Sequence, residues 1–127
     1  MIKLIDLGKL KIHERISRNR LAAVKKMIVS ACAFTEPIVV EKNHLVILDG
    51  HHRVTVLKEM GYRKIPAYLV NYLNQNVRVN SRRSNYLVSK DLVISRALSD
   101  QPYPSKTSRH FIPHRPKNFK IKLSKLK

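Results

Sequence analysis

The sequence predicts an α+β fold, a small mixed sheet packed with helices. Segments with apolar residues at helical spacing alternate with short β-branched runs, in the order helix, two strands, helix, strand. Turn-forming residues separate the runs, with Pro37 before one and Gly61 after another. Hydrophobic residues make up 43% of the chain, enough for a packed core.

The opening stretch Leu4-Ile5-Asp6-Leu7 reads as a strand or a strand-like lead-in that runs on toward His13-Glu14. From residue 20 to 34, Leu21, Val24, Ile28 and Cys32 (or Ala31) fall on one helical face, with Lys25 and Lys26 opposite. Cys32 is therefore expected as a small core residue. Ile38-Val39-Val40-Glu41 follows Pro37 as a strand, Lys42-Asn43-His44 turns, and residues 45–48 return to make a hairpin. A helix is expected from His51 to Met60, closed by a left-handed Gly61. Residues 65–70 form the next strand.

Beyond Tyr72 the pattern weakens. Val77 and Val79 alternate with Arg78 and Asn80 as a short strand, and residues 81–85 read as a polar basic loop. Ser89 caps a short helix carrying Leu92, Val93, Arg96 and Ala97. Phe119, Ile121 and Leu123 alternate with lysines as a last strand, and residues 125–127 are expected to fray. The 127 residues are most simply one domain, with a core about 1–72 and a basic loop and strand about 89–124.

Charge narrows the partners. Twenty-six Lys and Arg against 8 Asp and Glu give +18, a field that attracts nucleotides, nucleic acid or acidic surfaces. No apolar run approaches the roughly 18 residues that span a bilayer, and no signal-peptide layout opens the chain. A cytoplasmic protein without membrane contact is expected, and its oligomeric state is open. The single cysteine excludes an intrachain disulfide and a multi-cysteine zinc site.

The chemistry concentrates at Asp49-Gly50-His51-His52-Arg53, between an apolar strand and a helix. A first helical turn carries unpaired N–H groups and the positive end of the peptide dipoles, so it favours an anion. Gly50 allows close approach, and His51, His52 and Arg53 add donors. Asp49 could instead cap the helix, with both histidines merely exposed. A second cluster, Lys106, Thr107, Ser108, Arg109 and His110, follows Gln101-Pro102-Tyr103-Pro104-Ser105 and suits a phosphate or a carboxylate. It could equally be a basic surface loop.

Asp-Gly-His-His-Arg between strand and helix, followed by Lys58-Glu59-Met60-Gly61 and Lys64-Ile65-Pro66, resembles the ParB/sulfiredoxin superfamily, most closely its free L-serine kinases. Residues 103–110 are similar to that family's Tyr-Pro-x-Lys-x-Thr-Arg-His motif, with Ser108 where threonine is usual. A sulfiredoxin would need cysteine after the turn glycine, where His51 stands. A ParB partition protein would need a helical DNA-binding domain after the core.

The resemblance implies a ParB/sulfiredoxin-like fold and phosphoryl transfer from ADP or ATP to L-serine. It places Glu14 as general base and Asp49 as a functional position that could hold Mg²⁺ across the nucleotide phosphates. His51, His52 and Arg53 would contact those phosphates, and residues 106–110 would grip the substrate. The alternative is a ParB-like nucleic-acid-binding protein using the basic loop and tail.

Overall fold

The computed structural model describes residues 2–127. Its central sheet has strands β1 (Ile2–Asp6), β3 (Ile38–Glu41), β4 (Val46–Asp49) and β5 (Lys64–Val70), and short β2 (Ala33–Phe34) lies outside it. The order is β1-β5-β3-β4, with β3 and β5 parallel and both outer pairs antiparallel. The sheet is mixed, as expected of an α+β chain.

Helices cover both faces, which explains why β3 and β4 read as continuous apolar runs rather than alternating ones. Ile38, Val40 and Ile47 join the core beneath α1 (Arg18–Ala31) and α2 (His51–Glu59). Val39, Val46 and Leu48 point the other way, into a second core with Val93 and Ala97 of α3 (Lys90–Leu98). With both faces buried, the two-residue period leaves no polar alternation before the acidic residues that end each strand, Glu41 and Asp49.

Helix boundaries follow local chemistry. The Ser17 and Ser89 side chains accept from Arg20 N–H and Leu92 N–H to cap α1 and α3. After α2, Gly61 takes φ +82°, and Tyr62 N–H reaches the Leu57 carbonyl at 3.0 Å, a left-handed closure of the kind expected.

Cys32 departs from expectation. The helix stops at Ala31, and Cys32 turns to φ 52°, which carries its side chain into solvent instead of the core. Leu21, Val24 and Ile28 are the core face.

The end of the chain is also corrected. The last strand, β8, is only Ile121–Lys122 and pairs with β2. A 3-10 turn, Leu123–Leu126, follows instead of a frayed end. Leu126 is 0% exposed, and its carbonyl accepts Arg63 N–H at 3.0 Å. Two leucines three residues apart match the threefold period of that turn, and burying them outweighs the repulsion of the flanking lysines.

Two further strands, β6 (Arg78–Ser81) and β7 (Ser108–Phe111), form a separate antiparallel ribbon. Arg82 N–H donates to the Thr107 carbonyl, and Arg83 Nη2 to the Ser105 carbonyl. The basic loop after β6 therefore holds the loop that leads into β7.

Candidate functional site

The site begins with an extension of the sheet. Lys11 N–H donates to the Leu45 carbonyl at 2.9 Å, and Ile47 N–H to the Lys11 carbonyl at 2.8 Å. The chain therefore runs parallel to β4 and delivers residues 13–17 beside the turn that ends it. On the far side, Tyr103 N–H donates to the His13 carbonyl and Arg15 N–H to the Tyr103 carbonyl, each at 2.8 Å. Glu14 sits between these two strand-like contacts.

At the turn, Gly50 has φ +115°, and a Cβ there would overlap Ile38 Cγ2 and lie 2.8 Å from Ile38 Cβ. Glycine is required on both counts. Asp49 does not cap the helix, since Gly50 occupies the cap position with no side-chain bond. Its Oδ2 instead accepts from Arg115 Nη2 at 2.7 Å and lies 3.9 Å from Arg53 Nη2. Partial burial opposes the charge of Asp49. Arg53 and then Arg115 outweigh burial and hold its carboxyl below the usual range.

Arg53 Nη1 donates to the Glu36 carbonyl at 2.8 Å, tying the turn to the start of β3. Its guanidinium also lies 5.7 Å from the centre of the Phe34 ring.

Both imidazoles of the turn bond the Glu14 segment through Nε2. His51 Nε2 accepts His13 N–H at 3.3 Å, and His52 Nε2 accepts Ser17 N–H at 2.9 Å. His51 is 8% exposed. The first-turn N–H groups of His51, His52 and Arg53 have no intrahelical carbonyl to meet, and groups so placed favour an anion.

The second cluster divides by strand alternation. Ser108 and His110 point inward from β7, whereas Arg109 is exposed on its other face. Thr107 is buried. Its N–H donates to Glu14 Oε1 at 3.0 Å and its hydroxyl to the Pro104 carbonyl, so it shapes the loop. Ser108 gives Glu14 Oε2 both its N–H (3.3 Å) and its hydroxyl (2.6 Å). His110 packs with its ring centre 5.6 Å from that of His13 and pairs with the Tyr72 hydroxyl at 2.7 Å. Lys106 is exposed.

Glu14, Asp49, Gly50, His51, His52, Arg53, Lys106 and Ser108 thus line one open cleft of about 1320 Å³, while Arg109 does not. Arg20 and Arg82 join the same wall. Arg115 was missed by sequence reasoning. It meets Asp49 across 66 positions, and no short-range pattern announces such a pairing. Among the described residues, no three His, Cys, Asp or Glu side chains gather as a metal-binding group. Asp49 is a lone carboxylate with Oδ2 engaged, which suits only a cation that arrives with its own phosphate ligands.

The buried rings titrate against acid. Burial pushes His51 well below its usual value, with His13, His110 and His52 adding to the shift. Burial lowers His13 against the pull of Glu14, and takes His110 down to about 3. Folded values below the unfolded value mean that the unfolded chain binds more protons. The stability from the neutral rings of His51 and His110 is therefore complete above about pH 6.5 and is lost as pH falls toward the folded values. Each ring contributes a slope of up to about 1.4 kcal/mol per pH unit. Urea midpoints should fall steeply between about pH 6.5 and 4.5, before most carboxylates protonate. A flat midpoint across that window would contradict neutral burial.

No family model matches the chain. It is 37% identical over 82 residues to an ATP-dependent L-serine kinase of Staphylothermus marinus, covering 61% of this chain and 32% of that protein. It is 29% identical over 79 residues to an ADP-dependent L-serine kinase of Thermococcus kodakarensis, covering 59% and 33%. The match thus spans about a third of the length of each of these curated relatives. Among solved structures, free serine kinase in complex with AMP superposes with a TM-score of 0.90 at 16% identity, over 98% of this chain and 93% of that one. The chain is a sequence relative of the L-serine kinases, and its fold is that of free serine kinase.

Proposed function

We propose that this protein is a small-molecule kinase that transfers a phosphoryl group from ADP or ATP to free L-serine, giving O-phosphoserine. The observation that carries the reading is the shared cleft: the Glu14 carboxylate and a glycine-led helix start line the same cavity. The activities named for the sequence relatives support it. Phosphoryl transfer needs a phosphate cradle, neutralising charge and a proton acceptor, and the cleft walls supply each.

The first-turn N–H groups of residues 51–53 cradle the nucleotide phosphates, and the arginine-flanked turn supplies positive field. Asp49 would hold a Mg²⁺ ion brought in by the nucleotide, and the ion would neutralise charge building on the phosphates. Lys106 and Arg82 take the carboxylate of the amino acid. Glu14 Oε1 accepts one bond, from Thr107 N–H, and keeps a lone pair for the serine hydroxyl. As the serine oxygen bonds to phosphorus, the bond from phosphorus to the bridging oxygen breaks and the hydroxyl proton passes to Glu14. ATP leaves as ADP, or ADP as AMP.

Glu14→Gln keeps the shape of the side chain and removes the base. O-phosphoserine formation should drop by about 10²–10⁴-fold, with nucleotide affinity in a binding titration little changed. Full activity in the variant would show that Glu14 is not the base.

A second reading, nucleic-acid binding, has one specific observation in its favour. The outer face of the β6–β7 ribbon carries exposed Arg78, Asn80, Arg109 and Phe111, with the Arg78 guanidinium 5.3 Å from the centre of the Phe111 ring. Cations beside an exposed ring suit a phosphate backbone with stacked bases. This reading moves the contact surface from the basic tail to the ribbon. It predicts oligonucleotide affinity that falls log-linearly with salt, with a slope reduced by about one in Arg109→Ala. Affinity that ignores salt, or an unchanged slope, counts against the ribbon.

A further inference from the structure

Behind Glu14 lies a line of polar contacts to which phosphoryl transfer gives no task. His13 Nδ1 is 2.7 Å from the Ile47 carbonyl oxygen, and His13 Nε2 is 2.8 Å from Ser108 Oγ. Ser108 Oγ is in turn 2.6 Å from Glu14 Oε2. A carbonyl only accepts, so the proton of a neutral His13 ring sits on Nδ1, and Nε2 offers a lone pair to Ser108. An ionised Glu14 Oε2 offers another. The Ser108 hydroxyl has one proton and cannot satisfy both, so a neutral His13 beside an ionised Glu14 sets one short contact lone pair against lone pair.

One added proton removes the conflict in either of two arrangements. On His13 Nε2, it donates to Ser108 Oγ, and the Ser108 hydroxyl donates to ionised Glu14. On Glu14 Oε2, it donates to Ser108 Oγ, and the hydroxyl donates to neutral His13. The first becomes the second when the Nε2 proton passes to Ser108 Oγ while the proton already on Ser108 passes to Glu14, with total charge unchanged.

We propose that Glu14, Ser108 and His13 share a single proton, and that Ser108 and His13 are positioning residues which set the charge of the base. The proposal rests on the kinase reading for its purpose, though not for its geometry. With the shared proton on His13, Glu14 is ionised, its Oε2 is held from behind, and Oε1 faces the cleft free to take the acceptor proton. The groups around the line tune this balance. His51 lies with its ring centre 4.7 Å from His13, His110 at 5.6 Å and Tyr103 at 6.4 Å. All three pack against His13, while His52, Arg20 and Lys106 line the cleft with Glu14. Burial of His13 works against holding the shared proton on its ring, while the pull of Glu14 works for it.

The test is NMR titration of the ligand-free protein, following the His13 ring nitrogens and the Glu14 carboxyl carbon. Groups sharing a proton titrate as a pair, so both signals should move together through common midpoints. Ser108→Ala should uncouple them, each signal then following its own midpoint, and Ser108→Thr, which keeps the hydroxyl, should restore the common ones. Phosphoserine assays on the same variants should give a kcat lowered about 10-fold or more in Ser108→Ala, nucleotide affinity unchanged, and rescue in Ser108→Thr. Independent midpoints in the unaltered protein, or a Ser108→Ala titration identical to it, overturn the proposal. Common midpoints in a protein that makes no phosphoserine leave the shared proton standing and overturn the kinase reading instead.

Discussion

Two backbone hydrogen bonds accepted by imidazole nitrogens fix the relation between the halves of the site. His51 takes the N–H of His13 and His52 takes that of Ser17, so consecutive residues of one helix turn hold both sides of the Glu14 segment. Each bond is worth only about 1 kcal/mol net, but leaving the buried His13 N–H unpaired would cost about 1–3 kcal/mol. The cost of failure, more than the gain of formation, keeps the segment in place. Only a neutral ring can accept through Nε2, so the burial that keeps His51 uncharged is also what lets it act as a clamp.

The same economy governs charge. With +18 overall, carboxylates are scarce, and two of those lining the cleft, Glu14 and Asp49, have different surroundings. Asp49 is held by arginines at the mouth of the turn, whereas Glu14 is held by hydroxyl and amide donors from residues 107–108. An acid bonded to arginine is a poor proton acceptor, as the lowered Asp49 carboxyl shows. In the proposed reaction the two acids would do different work, Glu14 at the acceptor and Asp49 at the phosphates.

Much of this was legible in the chain because it depends on local patterns. Strand, Gly50 and helix start are contiguous, and the helix caps at Ser89 and Gly61 follow from residue type alone. What escaped was set by tertiary contact. Arg115 finds Asp49 from a stretch with no periodicity, and Leu126 is buried although lysines flank it. Cys32 fits a helical face that the backbone stops building one residue too soon. The motif at 106–110 indicated donors without their directions. Alternation along β7 turns Ser108 inward and Arg109 outward, and the strand itself was not visible in so polar a segment.

The most direct measurement is a structure of the protein with ADP or ATP bound. The account predicts that the terminal phosphate rests on the first-turn N–H groups of residues 51–53 and turns its phosphorus toward Glu14, across space wide enough for an amino acid. A terminal phosphate seated elsewhere, or directed away from Glu14, would contradict it.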